Sequence, residues 1–179
     1  MAWTSPVTVV ARGLVTAALW NAVRDDLNLT AVGIAATGGR IMCSAGSQVL
    51  AERIPDGASI ATSQTTASLT YVDLATAGPS VNRGNGVKIL AAIGCHLANG
   101  TAGQGARMAY ALSGSNTIAA ADTNSICIES ANASDTYSVS WVTVHDPLTA
   151  GTLTLTAKYR AVGAGTATFS SRIIAMIPF

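Results

Sequence analysis

Hydrophobic and polar positions alternate strictly through residues 152–160. Leu153, Leu155, Ala157 and Tyr159 fall on one side of an extended chain; Thr152, Thr154, Thr156, Lys158 and Arg160 fall on the other. Period-two alternation over this length predicts a strand with one buried and one wet face. Residues 137–142 begin the same way, with Tyr137, Val139 and Trp141 set against Ser138 and Ser140, and the turn 146–151 separates the two strands. The segment 172–179 breaks the rule. Ile173, Ala175, Ile177 and Phe179 are apolar, and so are Ile174 and Met176 between them. Such a strand needs cover on both faces, and the second cover is expected to be another copy of the chain.

Upstream, short strand patterns and turn signals alternate from residue 59 onward. Strands are expected at 68–74, 87–97, 106–112, 125–129, 137–144, 152–160 and 172–177, with Gly-, Asn- and Pro-rich turns between them. The stretch 87–97 is apolar on both faces up to Ala92, which suits a central strand. This spacing predicts a mainly β chain whose 59–179 domain is an antiparallel jelly roll or β-sandwich. Residues 1–58 read as an N-terminal arm. Thr16 can cap one short α-helix over about 16–29, where Leu19, Val23 and Leu27 share a face with Trp20 beside them. A lone helix of this size is marginal in water and needs a surface to lie on. That surface is the chain's own β domain, its sister copies or a foreign one, and the last would make the arm an anchor. Residues 30–58 carry scattered glycines and little periodicity, so they read as a linker with one short strand near 48–54.

Composition narrows the function classes. Apolar residues make up 49% of the chain and charged residues only 11%, with a mean hydropathy of +0.40. No run reaches the ~18 apolar residues of a spanning helix. Low charge with abundant Ala, Val and Ile among Thr, Ser and Gly fits a β protein partly hidden in an assembly. A net charge of +1 gives no footprint for nucleic acid or an acidic membrane. Cys43, Cys95 and Cys127 are an odd set without close spacing and are expected to be reduced, as in a cytoplasm. The opening residues lack the pattern of a secretory signal.

No catalytic constellation is found. His145 and Asp146 are adjacent, so on a strand they point to opposite faces, and no G-x-S-x-G serine completes a triad. His96, at the end of an apolar strand, is expected to be buried or at an interface. Metal-ligand spacing is absent. The glycine clusters at 84–86 and 100–105 lie between expected strands and serve turns rather than phosphate binding. No cofactor is expected, and the chain reads as a non-enzyme.

Two stretches carry a resemblance. The opening Ala2-Trp3-Thr4-Ser5-Pro6, followed by Gly13 through Leu27 with its Val-Thr-Ala and Asn-Ala-Val-Arg-Asp-Asp-Leu segments, resembles the N-terminus of small virion proteins of tailed phages. Residues 70–79, 108–114, 154–160 and 172–178 are similar to the C-terminal β domain of the same proteins. The resemblance implies a virion structural protein with a trimeric, tumour-necrosis-factor-like jelly roll, assembled in the host cytoplasm. Such proteins are capsid decoration proteins, head fibres or minor tail proteins. On this reading Trp3, Leu19, Trp20, Val23 and Leu27 attach the chain to a capsid protein or another virion protein. Ile173, Ile174, Met176, Ile177 and Phe179 line the homotrimer interface. The alternatives are a tail or fibre component that touches the host, or a module that binds a surface glycan.

Overall fold

The computed structural model describes residues 38–46 and 49–179. The expected helix 16–29 and the anchor candidates Trp3, Leu19, Trp20, Val23 and Leu27 lie outside the described residues. The chain divides into two compact units, 1–54 and 55–179.

In the first unit, β1 (Ile41–Gly46) and β2 (Val49–Arg53) form an antiparallel hairpin. Gly39 precedes β1 with φ +79°, and Arg40 pairs with Glu52 at 2.6 Å. The short strand expected near 48–54 is β2; its partner β1 lies in a stretch that reads as linker.

The second unit contains β3 (Asp56–Ile60), β4 (Gln64–Thr66), β5 (Ser80–Asn85), β6 (Ile89–Asn99), β7 (Gln104–Gly114), β8 (Ser125–Ser130), β9 (Tyr137–His145), β10 (Gly151–Val162) and β11 (Ala167–Pro178). One sheet has the order β5-β10-β7-β8; the other has β3-β11-β6-β9, with β4 also paired to β11. All pairings are antiparallel. From β4 onward every connection crosses to the other sheet except β7 to β8, which is the winding of a jelly roll. The expected antiparallel sandwich is therefore the fold, and the doubly apolar stretch near 87–97 is β6, flanked by β11 and β9.

The core follows from the alternation. Leu153, Leu155, Ala157, Tyr159 and Ala161 of β10 are fully buried, as are Ile89, Leu97, Met108, Phe169, Ile174 and Met176. Tyr159 meets Phe169 edge-on at 4.9 Å, the offset geometry that ring quadrupoles favour, and its hydroxyl donates to the Gly78 carbonyl at 2.7 Å.

Two local readings are corrected. Residues 68–74 form bends rather than a strand; only Val72 makes an isolated bridge, to Tyr159, and Leu69 is exposed. Residues 82–85, which read as a turn, belong to β5. There Asn82 donates to Thr154, and the Asn85 amide donates to the Gly86 and Thr149 carbonyls. Side-chain amides supply partners that the local sequence pattern does not announce.

The strand that closes the sheet carries a bulge. Ser170 pairs with His96 and Ile173 with Gly94, so Ser171 and Arg172 together oppose the single residue Cys95. Ser171 takes φ +48°, the left-handed conformation often found at such bulges. The extra residue moves the pleat by one. Phe169 faces inward before the bulge, and Arg172, Ile174 and Met176 face inward after it.

Candidate functional site: the outer face of the five-stranded sheet

The phase change settles which side of β11 faces outward. Ile174 and Met176 are fully buried in the chain's own core, so their expected role as surface contacts is corrected. Ile173, Ile177 and Phe179 lie on the side that points away from the core, with Ile173 and Phe179 exposed and Ile177 half-buried.

These residues do not stand alone. The register sets Ile173 beside Gly94, Ala175 beside Ala92 and Ile177 beside Leu90. On the other side of β6, Ala92 pairs with Val142, Leu90 with Val144 and Gly94 with Ser140. Val142 is 54% exposed, Val144 58% and Ile173 51%, values that set them apart from ordinary core-facing apolar side chains. Gly57 and Ser59 of β3 extend the surface beyond Ala175 and Ile173 without adding charge. With strands ~4.8 Å apart and same-face residues ~6.7 Å apart, the apolar area spans roughly 15 by 20 Å, on the order of 300 Å². A contiguous patch of that size lies at the low end of the range for the largest apolar patch on an ordinary monomer, a place where function is often found.

Sequence reasoning found the β11 part of this face and missed the β9 part. The signal was present: the alternation after Trp141 gives Val142 and Val144 on the face that Ser138 and Ser140 occupy earlier in the strand. Trp141, Val139 and Leu148 instead pack against the core.

The face carries no charged side chain in its middle. Lys88 and Asp146, just beyond one end of β6 and β9, pair with each other at 2.7 Å. At the other end stands His96, exposed rather than buried, between Ser138 and Ser170.

The outer face of the opposite sheet is of contrasting character. Thr154 accepts from Asn82, and the Ser80 and Thr156 hydroxyls bond at 2.9 Å. Further along, Lys158 binds Asp73 at 2.7 Å, and Asp122 receives Arg160 at 2.8 Å and Arg107 at 3.3 Å. The Tyr71 hydroxyl donates to Asp122 at 2.9 Å, and Arg160 lies over the Tyr71 ring at 5.4 Å. The Arg160 guanidinium holds the Asp122 carboxyl below the usual carboxylate range. These groups bond mainly to one another and tie residues 71–73 and 122 to the sheet.

The remaining groups with chemical potential are engaged inside the fold. His145 is half-buried; its Nε2 lies 2.7 Å from the Tyr110 hydroxyl, and burial lowers its pKa. Burial pushes the Cys95 thiol up to about 12, which leaves it protonated and unreactive at neutral pH. Cys127 on β8 is exposed. Among the described residues, no group of three or more His, Cys, Asp or Glu is placed to hold a metal ion. No described helix is long and apolar enough to cross a membrane.

Among the described residues the largest fully buried side chain is Arg172, the second residue of the bulge. Its guanidinium faces three carbonyls, those of Thr62, Thr76 and Gly78, at 3.3–3.4 Å, and lies 5.4 Å from the Tyr159 ring. It thereby gathers the bends between β3 and β5 onto β11. Carbonyl dipoles and a ring face take the place of a carboxylate partner.

No family model matches the chain, and no curated protein matches it in sequence.

Proposed function

We propose that the chain is a non-enzymatic structural protein of a bacteriophage virion, a homotrimer that attaches to the capsid and stabilises it as a decoration or head-fibre protein. The observation that carries this reading is the uncharged apolar outer face built from β6, β9 and β11. Exposed to water it is an aggregation liability; enclosed by sister copies it holds an assembly together. A neutral face also has no electrostatic preference for an acidic or basic partner. Ile173, Ile177 and Phe179, with Leu90, Val142 and Val144, are the contact residues. The resemblance of the opening residues to phage virion proteins supports attachment through Trp3, Leu19, Trp20, Val23 and Leu27, because large apolar side chains in an arm gain most when a pocket takes them out of water. The virion is then the place of action, reached by assembly in the host cytoplasm.

Two measurements test this. Sedimentation of the purified chain should give the mass of three copies, and a monomer at tens of micromolar would remove the basis for the assembly. Deleting residues 1–29 should leave that trimer intact but unable to bind phage heads. If the truncated trimer still coats heads, the anchoring role assigned to the first residues is wrong.

A further inference from the structure

We propose that the free edge of β9 is a second contact surface, on which another copy of the chain adds its own β9 in antiparallel pairing about Trp141. This goes beyond the apolar face and does not depend on how many copies that face joins. β9 is the last strand of its sheet, and one of its edges pairs with β6 along the whole strand without a register break. Among the described residues no strand lies along the other edge, and no backbone hydrogen bond reaches it. No residue of β9 is buried. The outer edge therefore presents a row of unpaired N–H and C=O groups, which is a template for a further strand.

Sheet edges are usually guarded, and the other edges of this unit are. β3 carries Asp56, β5 carries Arg83 and β8 carries Glu129, while β4 is only three residues long. Asp56 and Arg83 are moreover tied to each other at 2.6 Å. β9 is nine residues long, more than any of these, and contains no Asp, Glu, Lys, Arg, Pro or bulge.

The same contrast identifies the occupant. Laying β9 against β3, β5 or β8 of another copy strips water from a carboxylate or guanidinium to which β9 offers no counter-charge. The β9 of another copy brings an edge as neutral and as long as its own. Two equal edges meet about a twofold axis. Directly opposed residues must point to the same face, so the axis passes through one residue, and the register that pairs all nine is centred on Trp141. The two Trp141 rings, half-buried at the open edge, then become cross-strand neighbours. On the outer face Ser140 of one copy stands opposite Val142 of the other. Each backbone bond replaces one to water and nets about 1 kcal/mol against the cost of fixing two copies, so the pair is only partly populated in dilute solution. Covalent capture suits such a contact.

The experiment uses the full chain with Cys127→Ser, which removes an exposed native thiol. Ser140→Cys and Val142→Cys are made separately in that parent, mixed in equal amounts and oxidised with glutathione disulfide. In the Trp141-centred register the two new thiols are directly opposed and within disulfide reach. Each is offset from its own counterpart in the other copy by two residues, roughly 6.7 Å along the strand, which is too far. Non-reducing electrophoresis is expected to show a linked dimer from the mixture and no more than the parent's level from either variant alone. Equal linkage in the mixture and in the single variants would place these residues in a face-to-face contact and overturn edge pairing. No linkage in the mixture would also overturn it, and a three-copy mass in sedimentation would then leave the apolar face as the contact. Linkage in the mixture alone, from a chain that sediments as two copies, would uphold the edge and remove the threefold reading. Circular dichroism matching the parent establishes that both variants are folded.

Discussion

Placing a carboxylate in the middle of the apolar face separates assembly from folding. Val142 sits opposite Ala92 on β9, an edge strand, with 54% of its surface open to solvent in the single chain. Val142→Asp therefore costs the isolated fold little, within about 0.5 kcal/mol for an exposed site. Its cost to association has two parts. The exposed half of a valine side chain represents about 1 kcal/mol of burial that is lost. A carboxylate enclosed in an uncharged surface adds a desolvation penalty of several kcal/mol, about 3 as a low value. Together these weaken association by roughly 4 kcal/mol per copy, or about three orders of magnitude each. Thr154→Asp is the control, because Thr154 lies on the polar outer face of the other sheet, where it accepts a hydrogen bond from Asn82. Sedimentation velocity at matched concentrations should show Val142→Asp as a folded monomer and Thr154→Asp as assembled as wild type. Equal assembly by both variants would refute the assignment of the face, and loss of the fold in Val142→Asp would refute the placement of Val142 at the surface.

Removal of the buried guanidinium by Arg172→Ala should destabilise the chain by about 2–4 kcal/mol, since three carbonyls lose their donor and a cavity opens beside Tyr159. Arg172→Met, which fills most of the volume and carries no charge to desolvate, should recover more than half of that loss in urea titrations; no recovery would mean that the charge itself holds the 62–78 carbonyls. His145 has its pKa lowered by burial, so the folded chain favours the neutral ring. The stability this contributes is complete above the unfolded value of ~6.5 and is lost as pH falls from there toward the lower folded value. In the monomeric Val142→Asp background, His145→Gln should flatten the melting temperature between pH 7 and pH 5; an unchanged slope would place the pH dependence elsewhere.

Much of the sandwich was legible because its long strands obey the pleat. Leu153 to Tyr159 alternate with threonines and basic residues, and the structure buries that same set. The strands that escaped notice are those whose stability comes from elsewhere. β5 is of turn-like composition apart from the buried Val81, and side-chain hydrogen bonds to β10 and to the 149 carbonyl reinforce its backbone ladder to β10. Residues 68–74 begin with an alternation that breaks at Tyr71 and Val72, and beyond the bridge of Val72 to Tyr159 their backbone meets β10 only where Ala161 donates to the Ser68 carbonyl, so no ladder forms. The apolar outer face was half visible for a related reason. Its β11 side is written in consecutive apolar residues, whereas its β9 side emerges only when register brings Val142 and Val144 next to Ala92 and Leu90.

The bulge at Ser171–Arg172 has a wider implication for how such a chain can change. The surplus residue is absorbed where it stands: Phe169 and Arg172 face inward on either side of it, and Ile173 still lies beside Gly94. Removing Ser171 would therefore let Ser170, Arg172 and Ile173 meet His96, Cys95 and Gly94 one to one, with the inward and outward sets of β11 unchanged. The kink thus works as an expansion joint: a codon can be gained or lost there while the two faces keep their separate characters.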